Sequence, residues 1–162
     1  MGTYSPLGFF PESADAQAVP LKLAASQTIS KGDALIWSSG LVAIAVAGSA
    51  RILGIAAESA TTNSSGVRTD AYASGKAQTH ILVYGVKNPN EVFLGCFDAD
   101  SSSITAGTEP DLVGATGAMY LDTDASSTDV FKVLGPVEGE TLTAARARWR
   151  FVINKSDVDP ID

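Results

Sequence analysis

The sequence predicts an all-β protein, a small β-barrel or β-sandwich, with an extended N-terminal arm and long polar loops. Three observations predict it. Short apolar runs rich in Ile, Val, Leu and Ala recur between turn-forming Gly, Ser, Asn and Asp, most densely from Ile29 to Glu58 (ISKGDALIWSSGLVAIAVAGSARILGIAAES). Within that stretch no charge falls between Asp33 and Arg51. No amphipathic pattern persists beyond three helical turns, which leaves only Ala14–Ala18 and Thr141–Arg148 as places for short helices.

Taken in order, residues 1–20 read as an extended arm. Pro6, Pro11 and Pro20 oppose a helix and remove strand donors. Tyr4, Leu7, Phe9 and Phe10 put four large apolar groups into ten residues, more than a merely soluble tail carries. The arm therefore either folds back on its own domain or lies along a neighbouring subunit. About 20 extended residues reach on the order of 60–70 Å, far enough for the second. Deleting residues 1–20 is expected, on this reading, to leave a folded domain.

Residues 21–155 form the β-rich domain. Lys31-Gly32-Asp33 reads as a turn into a strand at Ala34–Trp37; Ser38-Ser39-Gly40 reverses the chain into Leu41–Val46, and Ala47-Gly48-Ser49 turns it into Ile52–Ala56. Ser59–Gln78 is a long exposed loop with a short strand near Val67–Ala73. Thr79–Val86 (THILVYGV) is dense in β-branched and aromatic residues and predicts a strand. Lys87-Asn88-Pro89-Asn90 turns into a second strand, Glu91–Phe97, and the two together predict a hairpin. Asp98–Gly117 is polar loop; Ala118–Asp122 and Val130–Leu134 are short strands, and Arg146–Asn154 closes the domain. Residues 156–162 are an acidic tail.

A length of 162 residues suits one domain. The formal charge of −7 argues against nucleic acid as a partner, because phosphates require positive charge. Cys96 is the single cysteine, so no internal disulfide is expected. The start, MGTYSPLGFFPESA, has neither the basic nor the long apolar region of a secretory leader, and the longest apolar run is too short to span a bilayer. No membrane partner is expected.

Candidate chemistry is sparse. His80 is the only histidine, with no second ligand nearby, and reads as a polar-face strand residue. Cys96 reads as a small buried hydrophobe. Asp98, Asp100, Ser102 and Glu109 fall at calcium-loop positions, but Ser103 stands where the turn glycine belongs, so a solvated acidic loop is the expectation. Asp122, Asp124 and Asp129 read the same way. No catalytic residue, metal or cofactor is expected, and no enzymatic activity. The informative charge feature lies between Thr141 and Lys155, where Arg146, Arg148, Arg150 and Lys155 meet no acidic residue. At strand period the three arginines share one face and Ala147, Trp149, Phe151 and Ile153 the other. That face is either an ordinary basic exterior or a docking stripe, since Arg and Trp are enriched at interface hot spots.

The run LKLAASQTISKGDALIWSSGLVAIA, then ILGIAAES and ILVYGVKN, resembles the capsid decoration (cement) proteins of tailed bacteriophages. Lys31-Gly32-Asp33, Leu35-Ile36, Gly40 to Ala45 and Leu53-Gly54-Ile55-Ala56 carry the resemblance, which spans Leu21 to Val86. It implies a β-rich, β-tulip-like homotrimer on the outer surface of an icosahedral shell, assembled in the host cytoplasm, whose partner is the phage major capsid protein. Tyr4, Leu7, Phe9 and Phe10 are then expected at capsid or inter-subunit contacts, and Arg146, Arg148 and Arg150 at a polar interface. The alternative is a carbohydrate- or receptor-binding β-module of a fibre or spike head, for which Tyr72 is the one aromatic in the polar loops.

Overall fold

Strand residues point alternately to opposite faces, so the pattern of burial along each strand shows how many of its faces are covered. The structure, a computed structural model, describes residues 8–70, 78–124, 127–144 and 146–154. Tyr4, Leu7, Tyr72 and the acidic tail lie outside the described residues. Strands β1 (Phe10–Pro11), β9 (Phe93–Cys96), β12 (Phe131–Pro136) and β13 (Arg148–Ile153) form a four-stranded sheet in the order β1-β9-β13-β12. Strands β2 (Ala18–Lys22), β4 (Ala34–Ser38), β5 (Leu41–Ile44), β6 (Gly54–Ala56) and β8 (His80–Tyr84) form a five-stranded sheet, β2-β8-β6-β4-β5. Two small antiparallel pairs complete the set: β3 (Thr28–Ile29) with β7 (Ala60–Thr61), and β10 (Leu112–Ala115) with β11 (Ala118–Leu121).

The all-β class is as expected, in sandwich form, and among the described residues no barrel closes. The five-stranded sheet curls until a parallel bridge joins Leu23 to Val42, next to the hydrogen bond from Ala24 N–H to Val42 C=O (2.8 Å). Leu23 N–H itself donates back toward β8, to Thr79 C=O at 2.8 Å. By alternation Pro20 faces away from β8, the one direction in which its missing N–H breaks no ladder bond. That gap in donors on the outer edge of β2 opposes further zipping to β5.

The five-stranded sheet has apolar side chains on both faces. Ala34 and Ile55 point into one core with Phe93, Phe131, Trp149 and Phe151 of the four-stranded sheet. Leu35, Ala56, Ile81 and Val83 point into a second core with Leu23, Ile29, Val42 and Ala60. Around β4 and β6 the sheet is covered on both sides and has no polar face, which explains the charge-free run of the sequence, whereas β8 alternates and leaves His80 and Leu82 exposed. In the four-stranded sheet Trp149 and Phe151 are buried while Arg148 and Arg150 are exposed, the alternation of a one-sided sheet.

Turn chemistry follows the sequence closely. Ser39 and Gly40 both have positive φ (51° and 76°), and Ser38 pairs with Leu41, which makes β4–β5 a two-residue hairpin of the primed type. Asp33, with no exposed surface, explains the third residue of the Lys31-Gly32-Asp33 turn. Its Oδ2 accepts from Ser30 N–H (2.8 Å) and Thr116 Oγ1–H (2.6 Å), and its Oδ1 from Gly117 N–H (2.9 Å). One buried carboxylate thus ties the β10–β11 turn to the core turn, with three donors offsetting its desolvation.

Three expectations about strands and helices need correction. Strands β8 and β9 do not pair as a hairpin: β8 lies between β2 and β6 in one sheet, β9 between β1 and β13 in the other. The link between them leaves β8 through Gly85 at φ +90° and carries the chain from one layer to the next. Among the described residues no helix forms; Ser13–Asp15 and Leu142–Thr143 are turns. Finally, residues read as polar loop include β10, whose Leu112 is buried.

The N-terminal segment is built into the domain. Phe9 is fully buried; its ring lies 5.3 Å from that of Phe131 and 5.1 Å from that of Phe151, both edge-on. The boundary drawn at residue 20 falls inside β2. Phe9, named above as a contact residue, is a core residue of its own chain in this structure.

Candidate contact surface

The outer face of the four-stranded sheet gathers most of the described residues that the sequence singled out. Phe10 is opposite Leu94, Leu94 is opposite Arg150, and Arg150 is opposite Gly135, so one row crosses all four strands. The register of β12 slips between Val133 and Gly135, and the bulged residue, Leu134, is 41% exposed. Lys132 stands opposite Val152 in the next row. The reverse of this face is the aromatic core, so the surface is backed by rings packed at 5.0–5.9 Å.

The three arginines do not form a bare stripe. Arg148 Nε donates to Glu140 Oε1, and Arg150 Nε to Glu12 Oε2 at 3.0 Å. Both guanidinium groups remain nearly half exposed, so each pair contributes no more than about 1 kcal/mol to stability. Arg146 lies outside β13, in a turn with φ +70°, and its carbonyl accepts from Cys96 Sγ–H (3.1 Å). The strict two-residue period expected for all three arginines therefore holds for Arg148 and Arg150 alone. Cys96 is buried, 6% exposed, as expected.

The outer edge of β12 is occupied. Val133 N–H donates to Thr108 C=O and Val133 C=O accepts from Gly107 N–H, while Phe131 N–H reaches Pro110 C=O. Pro136 ends the strand without a donor, a further obstacle to strand addition there.

Other polar residues serve internal bonds. Arg68, its side chain 5% exposed, makes a bidentate pair with Asp70 (Nε–Oδ1 3.1 Å, Nη2–Oδ2 2.6 Å), and also donates to Glu58 Oε1, Ser59 C=O and His80 C=O. Glu58 Oε1 accepts in addition from Leu82 N–H (3.1 Å), so this loop is fastened to β8. Asp111 Oδ atoms accept from Thr128 N–H and Asp129 N–H. In the acidic loop Asp98 Oδ1 accepts from Thr123 N–H and Oγ1–H, and Asp100 Oδ1 from Ser102 N–H. His80 is exposed on β8, its Nδ1 2.9 Å from Thr79 Oγ1.

Sequence reasoning missed the Arg68 cluster because its partners arrive from three places in the chain, 58–59, 70 and 80; only the Arg68-x-Asp70 spacing hinted at it. The Arg68 hydrogen bonds lower the Asp70 pKa from 3.8 to about 2. A depressed carboxylate pKa stabilises the fold fully above the unfolded value of 3.8, and the gain is lost as pH falls toward 2. Asp70→Asn is expected to destabilise the protein by about 1 kcal/mol at pH 6, allowing for solvent screening, with most of the difference lost by pH 2. Urea unfolding of both proteins at the two pH values checks this. A gap that stays constant with pH would show that the carboxylate charge is irrelevant.

In comparisons with known proteins, no family model, no curated protein and no solved structure matches this chain.

Proposed function

We propose that the chain is a structural virion protein that binds the outer surface of an icosahedral phage capsid as an oligomer and stabilises the shell by clamping neighbouring capsid subunits. The observation that carries this reading is the outer face of the four-stranded sheet, where half-exposed Arg148 and Arg150 stand among Phe10, Leu94 and Leu134 over a rigid aromatic core. Arginine set in an apolar surround is the composition of a contact surface, and stiff backing limits the ordering entropy lost on docking. The resemblance from Leu21 to Val86 points to the same class. The N-terminal segment that carries Tyr4 and Leu7 joins the described structure at Gly8, beside the four-stranded sheet.

The mechanism is mass action. A molecule that binds the assembled shell and not its separated subunits stabilises the shell by RT ln(1 + [L]/Kd), and an oligomer sums several modest contacts through effective concentration. The test is co-sedimentation of the purified protein with undecorated, expanded capsids of a tailed phage. Wild type is expected to pellet with the capsids. Arg148→Gln/Arg150→Gln is expected to bind at least about tenfold more weakly with unchanged circular dichroism, a loss of about 1.4 kcal/mol. Deletion of residues 1–7 is expected to spare the fold, since Phe9 stays, and to weaken binding. Full-chain protein that stays in the supernatant would end this proposal.

A further inference from the structure

The geometry points to residues 8–12 as an exchangeable strand, one that docks into the same socket of a second copy of this chain and so links copies into an oligomer. This goes beyond capsid binding and holds whether or not a capsid is the partner.

Every described contact that seats the segment is made to residues far away in sequence. Phe9 N–H donates to Gly32 C=O (2.8 Å), and Glu12 N–H to Val92 C=O (2.9 Å). Phe10 and Pro11 pair with Leu94 and Phe93. Glu12 meets Arg150 at 3.0 Å. The socket is shaped for one ring: a Cβ on Gly95 would lie 2.5 Å from Phe9 Cδ1, and one on Gly8 would lie 2.9 Å from Gly32 C=O. A second copy offers an identical socket, so exchange preserves each of these contacts.

The link to the rest of the chain is built to let go. Residues 13–17 form no strand, and all but Ala16 are exposed. Their own turn is held by Asp15 N–H to Ser13 Oγ (3.1 Å) and Ala16 N–H to Ser13 C=O (3.3 Å). Between this link and the 87–91 turn lies a depression of about 340 Å³ lined by Ser13, Asp15, Gln17, Lys87, Asn88 and Glu91. Beneath it Glu91 Oε1 is buried with no hydrogen-bond partner among the described residues, although Oε2 accepts from Asn88 Nδ2 (2.9 Å). Straightened, residues 13–17 span about 17 Å, enough to reach across a subunit boundary.

The test uses the full chain with Cys96→Ala as background. One tagged chain carries Phe10→Cys, and a second, differently tagged, carries Leu94→Cys. These opposed positions lie at about the 5.5 Å Cα separation a disulfide favours. The two are unfolded together in urea, refolded at high concentration and oxidised. A disulfide-linked product containing both tags is expected, its share rising with protein concentration and exceeding the background from Phe10→Cys mixed with Val46→Cys. Light scattering of the unaltered chain is expected to show a multimer. Absence of the mixed product overturns the proposal, whether the chain is monomeric or multimeric and whether or not a Phe10→Cys/Leu94→Cys double variant closes within one chain.

Discussion

Replacing Gly54 with alanine is expected to leave almost no folded protein. An added Cβ would sit 2.2 Å from the carbonyl oxygen of Tyr84 and 2.7 Å from Val83 Cγ1, where real contacts begin well above 3 Å. Neither side can yield cheaply. Gly54 opens β6, which is clamped between β4 through Leu35–Gly54 and β8 through Ile55–Tyr84, in the middle of the five-stranded sheet. Moving the Tyr84 carbonyl displaces the strand that separates the two cores. The cost belongs at the top of the range for single substitutions, more than about 4 kcal/mol, a large part of the total stability of an ordinary domain. Soluble yield and thermal unfolding measure it. A melting temperature within a few degrees of wild type would show that β6 and β8 separate more easily than this packing allows.

Phe9→Ala is the second large effect, at about 3–5 kcal/mol, because it empties a closed site between Gly95, Phe131 and Phe151 that the surrounding rings cannot refill. For a chain of this length that corresponds to a fall in Tm of roughly 10 °C. The same reasoning corrects the expectation that removing residues 1–20 leaves a folded domain. Such a deletion takes away Phe9, β1 and three of the five residues of β2, so it is expected to unfold the protein, whereas deletion of residues 1–7 is not. Urea midpoints of the two truncations and of Phe9→Ala separate these outcomes. Phe9→Ala at wild-type stability would mean that the ring is not part of the core.

Much of the middle of the chain was legible. The strands at 34–38 and 41–44, the Ser39-Gly40 reversal, and the final strand alternating Arg148, Trp149, Arg150 and Phe151 all follow from local pattern and turn chemistry. So does the burial of Cys96. What local pattern could not show was partnership. Thr79–Val86 and Glu91–Phe97 look like a hairpin because they are near each other and both apolar, yet each strand already has two neighbours from distant parts of the chain. Ala18–Lys22 was hidden by Pro20, which an edge position tolerates and a central one does not. The contact surface was half visible: the alternation located Arg148 and Arg150, but Glu12 and Glu140, which pair with them, come from elsewhere in the chain.

The sequence by itself determined the β class, the turns and the inward side of the last strand, because these depend on residues within a few positions of one another. Only the tertiary structure decided that Phe9 closes the core, that Asp33 fastens a hairpin more than eighty residues away, and that Arg68 gathers two carboxylates. Those depend on which distant segments meet, and burial of apolar surface, being non-directional, leaves no mark of its partner in the local sequence.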